Sequence, residues 1–269
     1  MTRTIRNLTL PELETLLDWA AAEGWNPGLS DANAFYAADP KGFLGAFVDG
    51  QMVAGIAAVA YDDTYGFIGL YICQPQWRGQ GHGKAVWDAA MDYLGTRTIG
   101  LDGVPEQQAN YASMGFVTAY ETIRMSGTLR PATVPPVEPA LTADRIIAMD
   151  RQCFPAARPA FLEQWFAAPN TPLAIARQGE LEGYGVLRPC RDARKLGPLF
   201  APGTVAAINL LEQIEGPIHL DVPARQTAWL AALEARGFVA GFRTARMYRG
   251  TPPDIDQARV YAVTSLEMG

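Results

Sequence analysis

The chain spells one phrase twice. Gly115 to Met125 reads GFVTAYETIRM, and 122 residues further on Gly237 to Met247 reads GFVAGFRTARM, with six identities in eleven aligned positions. A repeat at one constant offset constrains architecture before any other feature, because each copy must occupy the same place in a repeated fold unit. At 269 residues the chain has room for two units of about 130 residues, each able to bury a sizeable core.

The order of elements along the chain agrees with a duplication. Thr9 and Glu12 form a capping box around Pro11, which predicts a helix to about Ala22 stopped by Gly24, and a second short helix follows Ser30. GFLGAFVDG and QMVAGIAAVAYDD are apolar runs joined at Asp49-Gly50, a dipeptide suited to a tight hairpin. A strand YGFIGLYIC then runs through glycines into the helix around KAVWDAAMDYL. TIGLDGV, EQQANYASMG and FVTAYETIRMSG supply strand, helix and strand. Residues 130–141, with Pro131, Pro135, Pro136 and Pro139, read as a stiff linker. From Thr142 the same order recurs: a capped helix, the hairpin LAIARQGELEGYGVLR, the strand KLGPLFAPG, a helix, the strand HLDVP, the helix AWLAALEARG and the second copy of the phrase. One more strand-like run, VYAVTSLEM, follows. The predicted fold class is α/β in its mixed α+β form, with units at 1–129 and 142–269, each a mostly antiparallel twisted sheet flanked by helices.

Hydrophobic residues make up 49% and charged residues 19% of the chain, a composition of soluble globular proteins, and no apolar run approaches a membrane span. The start of the chain has helical spacing instead of a signal-peptide core, so a cytoplasmic protein without a membrane partner is expected. A net charge of −6 argues against a nucleic-acid partner, whose phosphates need a basic face. Cys73, Cys153 and Cys190 are widely spaced, and His82 and His219 are the only imidazoles. That pattern offers no zinc or disulfide framework, and no metal is expected. Oligomeric state is left open.

The stretch Arg78-Gly79-Gln80-Gly81-His82-Gly83-Lys84 lies between an apolar strand and an amphipathic helix. Glycines there let successive backbone N–H groups point into one concavity at a helix N-terminus, a cradle for a pyrophosphate, with Arg78 and Lys84 adding charge. A Walker loop would need glycine at 78 and Ser or Thr at 85, which are Arg78 and Ala85. A dinucleotide fingerprint would need glycine at 84 or 86, which are Lys84 and Val86. A phosphate loop of another kind remains, as does a plain strand-to-helix turn.

Arg78-x-x-Gly81-x-Gly83, the preceding Cys73-Gln74-Pro75 and the later Tyr111-x-x-x-Gly115-Phe116 resemble the acetyl-CoA loop, strand end and second conserved motif of the GNAT superfamily of N-acetyltransferases. EGWNPGLSDA, the LDGVP turn and the duplicated layout further resemble a bacterial tandem-GNAT type with a divergent C-terminal acetyltransferase-like domain. The resemblance implies transfer of acetyl from acetyl-CoA to a primary amine of a small molecule or peptide, by direct attack in a ternary complex. Backbone atoms of Tyr71, Ile72 and Cys73 would hold the pantetheine as an added strand, and residues 78–84 the pyrophosphate, with Asn110 as a further contact. His82 fills a place the family gives to an aliphatic residue, pointing away from the phosphates. Where the family often has Asn, seven residues before the tyrosine, this chain has Val104.

Tyr111 is the candidate general acid for the leaving thiolate, with a core tyrosine as the plain alternative. Asp102 is the candidate base, ahead of Asp62 and Asp63. It could equally cap the LDGVP turn, and Asp221 in the matching LDVP of the second unit favours a structural role for both. Trp25, Asn26 and Asp31 border the implied acceptor site. His219 reads as a core or edge histidine. The second unit has no Arg-x-x-Gly-x-Gly, and Leu233 stands where the first copy has Tyr111, so one active domain and one degenerate partner shaping the acceptor site are expected. A non-catalytic acyl-CoA sensor is the alternative.

Overall fold

The computed structural model describes residues 2–130, 142–178 and 180–269. The predicted linker therefore lies, apart from Arg130, outside the described residues. The first unit runs β1 (Arg3–Asn7), α1 (Leu10–Ala22), α2 (Asp31–Ala38), β2 (Phe43–Val48), β3 (Gln51–Ala60), β4 (Tyr65–Cys73), α3 (His82–Leu94), β5 (Thr98–Gly103), α4 (Pro105–Ser113) and β6 (Val117–Leu129). The second runs α5 (Ala143–Cys153), α6 (Pro159–Trp165), β7 (Thr171–Arg177), β8 (Glu180–Pro189), β9 (Arg194–Phe200), α7 (Thr204–Leu211), β10 (Gly216–Pro223), α8 (Thr227–Glu234), β11 (Val239–Arg249) and β12 (Val260–Ala262). Asp49 and Gly50 both take positive φ, 49° and 87°, as the tight β2–β3 hairpin requires.

Two elements had not been anticipated. RTIRN is mostly exposed along β1, so it carries no buried alternation to betray a strand, and PAFLEQW is too short to establish a helical period.

The two units share one sheet, in the order β1-β2-β3-β4-β5-β11-β6-β10-β9-β8-β7, with β12 paired to β9. The last long strand of each unit is exchanged. β11 pairs with β5 of the first unit, β6 pairs with β10 of the second, and β6 and β11 pair antiparallel with each other. The doubled phrase forms this centre. Thr122 lies opposite Thr244, its own counterpart at the 122-residue offset, so a local twofold axis passes between them.

Alternation across the pleat then sorts the side chains. Ile123 and Met125 enter the core beside α7 and α8, and Ala245 and Met247 the core beside α3. On the opposite face Arg246 grips Asp102 through Nε and Nη2 at 2.9 and 2.7 Å, and Arg124 grips Asp221 at 2.8 and 2.9 Å. Asp102 and Asp221 are thus equivalent, each held by the arginine of an exchanged strand. A third core joins the units through their helices: Phe35 of α2 stacks on Trp165 of α6 at 6.0 Å, and buried Arg188 of β8 binds Asp31 at the start of α2 at 2.6 Å.

Removing one member of a buried pair strands the other charge. Arg246→Met is expected to cost about 3–5 kcal/mol in urea denaturation, and adding Asp102→Leu to recover most of that loss. An Arg246→Met protein as stable as the parent would show that this pair does not hold the exchanged strand.

Candidate functional site

β4 and β5 run parallel only from Tyr65/Thr98 to Ile68/Leu101. Beyond that point β4 bulges: Ile56 on β3 faces both Leu70 and Tyr71, and Leu70 adopts φ 48°. The strands splay, leaving a cleft of about 570 Å³. Ile68 to Cys73 form one wall and Leu101, Asp102 and Val104 the other. α4 contributes Glu106, Gln107, Asn110 and Tyr111, and Trp25 with Glu23 closes the side near α1. Phe242, Thr244, Leu266 and Glu267 enter from the second unit.

The glycine loop follows the free edge of β4. Gly79 and Gly81 take φ of 73° and 77°, the left-handed region open to glycine, and α3 begins at His82, leaving its first N–H groups without helical partners. A Cβ at Gly83 would lie 3.0 Å from the Tyr71 hydroxyl, so glycine lets β4 pack against the helix start. Backbone edge, unobstructed glycines and helix N-terminus form one continuous path, which fits a pantetheine arm leading to a pyrophosphate.

The charged side chains of the loop have partners within the chain. Arg78 donates to Cys73 O at 3.0 Å and to Glu23 at 2.7 Å, while Lys84 pairs with Asp88 at 2.6 Å. Gln80 donates to Gln76 O at 3.1 Å. His82 is buried edge-on to Trp77, with Nδ1 unpartnered. Arg3, which sequence reasoning missed, reaches Gly81 O at 3.2 Å.

Tyr111 is brought to the cleft. Its ring stacks on Trp87 at 5.5 Å and meets Phe116 edge-on at 6.3 Å. Burial pushes its phenol well above the ordinary range, with Tyr71 adding to the effect, so it stays protonated as a proton donor must. Asn110 lines the same wall and donates to Gln107 at 3.3 Å. The Cys73 thiol is pushed up by burial.

Asp102 also borders the cleft, but both its oxygens are engaged by Arg246. Burial raises its pKa despite Arg246, helped by Asp221 and Glu267, whereas Asp221 is lowered because Lys195 and Arg188 add to Arg124 and together overcome burial. Asp62 is occupied by the Thr64 and Tyr65 amides at 2.7 and 2.8 Å. Asp63 sits in a wide ion pair with Arg97, at 3.6 Å, and is exposed. Of the acceptor residues, Trp25 lines the cleft. Asn26 exchanges hydrogen bonds with the Asp192 backbone, and Asp31 is buried against Arg188 and Gly28 N–H, so neither reaches the cleft. His219 contacts Ser126 at 2.7 Å and Asp192 at 3.4 Å, away from the cleft.

The second unit splays at the matching place and fills the gap with its own chain. β12 pairs with Phe200 and Leu199 of β9, Ala201 N donates to Arg259 O at 3.0 Å, and Val263 N to Asp221 O at 3.0 Å. Leu199, Phe200 and Ala201 are the counterparts of Tyr71, Ile72 and Cys73. The segment then crosses to the first unit. A Cβ on Gly197 would lie 2.5 Å from Thr264 O, and one on Gly69 2.1 Å from Glu267 O. Among the described residues no carboxylate, histidine or cysteine cluster suits a metal, and no helix is long and apolar enough to cross a membrane.

Comparison with known proteins matches residues 10–117 to the acetyltransferase (GNAT) family and residues 146–262 to an acetyltransferase (GNAT) domain. The chain is 33% identical over 279 residues to the holothin acyltransferase of Pseudoalteromonas sp. (strain SANK 73390), covering 100% of this chain and 95% of that one. A solved structure of a candidate acetyltransferase from Pyrococcus horikoshii superposes with a TM-score of 0.81 at 20% identity, over 99% of this chain and 96% of that one. A tandem GNAT protein from the clavulanic acid biosynthesis pathway gives 0.64 at 15% identity, over 94% and 100%. These two structures share the fold.

Gly69→Val places side-chain atoms where Glu267 O lies. Such overpacking is expected to cost about 1–3 kcal/mol and to loosen the segment after Val263, measured as faster proteolytic cleavage there. An unchanged cleavage rate would count against the close approach.

Proposed function

Because this chain belongs to the GNAT acetyltransferase family, we propose that its β4–β5 cleft transfers the acetyl group of acetyl-CoA to a primary amine of a small molecule or peptide, by direct attack in a ternary complex. The observation that carries this reading is a single path: the unpaired edge of Tyr71, Ile72 and Cys73 leads at one end into the Gly79–Gly83 turn and faces the Tyr111 phenol across the cleft. The backbone of residues 71–73 would hold the pantetheine, and the N–H groups at the start of α3 the pyrophosphate, with Arg3, Arg78 and Lys84 nearby. Acetyl-CoA supplies an activated acyl carbon. The chain orients it, keeps bulk water from it with the apolar wall of Ile68, Leu70, Phe242 and Leu266, and offers the Tyr111 proton to the leaving sulfur. The full-length likeness to a protein named for acylating holothin supports a small-molecule acceptor.

Acetyl-CoA is expected to raise the melting temperature, since a ligand selective for the native state must do so, and a panel of primary amines to accelerate release of free thiol. Tyr111→Phe should keep the thermal shift while lowering kcat about 10²-fold or more. Stabilisation by acetyl-CoA without amine-dependent thiol release would support an acyl-CoA sensor instead.

A further inference from the structure

Glu267 is the exception among the buried carboxylates around the cleft. Asp31 is taken by Arg188, Asp102 by Arg246, Asp221 by Arg124 and Asp150 by Arg158. Glu267 is 4% exposed and lines the cleft, and among the described residues no hydrogen bond or ion pair engages its carboxylate. Its oxygens are therefore open to a molecule that enters the cleft.

Its surroundings are cationic, and its lone pairs are not taken up by them. Arg124 on β6, Lys195 on β9 and Arg188 on β8 all lie within electrostatic reach of Glu267, together with Cys190 and Asp102. The hydrogen bonds that those cations make go elsewhere, and Arg188 Nε has no partner among the described residues. Arg124 binds Asp221 and Trp25 O, Lys195 donates to Trp25 O at 2.9 Å, and Arg188 binds Asp31.

The backbone carrying Glu267 is fixed on both sides. Upstream, Val263 N bonds Asp221 O, and the Thr264 hydroxyl accepts from buried Arg158 at 2.9 Å. Downstream, Tyr61 donates to Met268 O at 2.8 Å, and Met268 N to the Ser265 hydroxyl at 3.1 Å. Gly69 lets the Glu267 carbonyl rest directly on β4 at the mouth of the splay. A side chain so held is preorganised to receive a ligand.

We propose that Glu267, delivered by the second unit, binds the ammonium of the acceptor and removes the proton that must leave before nitrogen can attack. This inference rests on the acetyl-transfer reading above. The ammonium passes one proton to Glu267, and the freed lone pair forms the N–C bond at the thioester carbonyl as the C–S bond breaks. The C–S electron pair goes to sulfur, which takes the Tyr111 proton. The second nitrogen proton returns to the phenolate through water, and Glu267 releases its proton to solvent, so amide, thiol and one proton are formed from ammonium and thioester. Asp102 is less free for this step, because Arg246 engages both its oxygens.

The test compares parent, Glu267→Gln and Glu267→Asp proteins with acetyl-CoA and benzylamine, tyramine, spermidine and lysine methyl ester as probe acceptors, from pH 6 to 10. Glu267→Gln should lower kcat/KM about 10²-fold or more at pH 7 while keeping the thermal shift with acetyl-CoA. Its deficit should shrink about tenfold per pH unit as the free amine accumulates, a recovery that lost packing alone would not produce. Glu267→Asp, which keeps a carboxyl group on a shorter side chain, should be intermediate, and it carries the comparison if the Gln variant does not fold. Parent-like kcat/KM and pH profile in a variant that binds acetyl-CoA overturns the role of Glu267 and leaves the acetyl-transfer reading intact. Absence of amine-dependent thiol release from the parent with every probe overturns that reading and this inference with it.

Discussion

The crosswise arginine–aspartate pairs at the centre of the sheet fix everything around them. Arg246 reaches from β11 to Asp102 on β5, and Arg124 from β6 to Asp221 on β10, both bidentate and both buried. Slipping either exchanged strand by one residue would carry its arginine to the apolar face and its methionine to the polar one. A hydrophobic pattern alone specifies the face but tolerates shifts of two, whereas a buried bidentate pair tolerates neither. The repeated letters have a physical meaning here. Thr meets Thr at the local axis, Arg meets Asp across the sheet, and Met enters a core, which accounts for the identities at the end of both phrases.

Two copies of one groove have been put to different uses. A parallel strand pair that splays exposes backbone donors and acceptors, and buried backbone must find partners. In the second unit the chain supplies them itself, with residues 259–263 pairing β9 and bonding β10. In the first unit the edge from Gly69 to Cys73 stays open on the β5 side, and it adjoins the glycine turn. The same strand-addition physics therefore closes the groove in one half and leaves an open edge in the other. Gly69 and Gly197, counterparts in the two β-bulges, are both covered by carbonyls of one segment, so the plug of the second groove is also the rim of the first.

Local features of this design were legible in the sequence. The Asp49-Gly50 hairpin, the glycine turn, the Tyr111 position and the duplicated order of elements all follow from contacts between residues close in the chain, and patterns of that range are what a single sequence displays. The repeat announced two units, but strand exchange is not visible in it, because β11 would have the same pattern of letters beside either unit. The Asp102–Arg246 pair spans 144 residues, and nothing in LDGVP signals an arginine that distant. The sequence shows the charge of Arg78 but not its partner, because Glu23, 55 residues earlier, carries no local mark of the pairing. Glu267 escaped for the same reason: VYAVTSLEM reads as a plain strand until its burial against Gly69 is known.

The exchange also decides where a cleft can form. Without β11 the edge of β5 would be an unpaired row of backbone groups on the polar side of the sheet, a surface prone to association, and the cleft floor would lose Phe242 and Thr244. Without residues 263–268 it would lose Leu266 and, among the described residues, the one buried carboxylate of the cleft whose oxygens are not already committed. The second unit lacks a glycine loop and a tyrosine at Leu233, yet through β11 and the segment that follows it supplies the floor and the inner wall of the first unit's cleft. In the second unit the chain fills its own groove, and strand exchange places its remaining side chains in the cleft of the other copy.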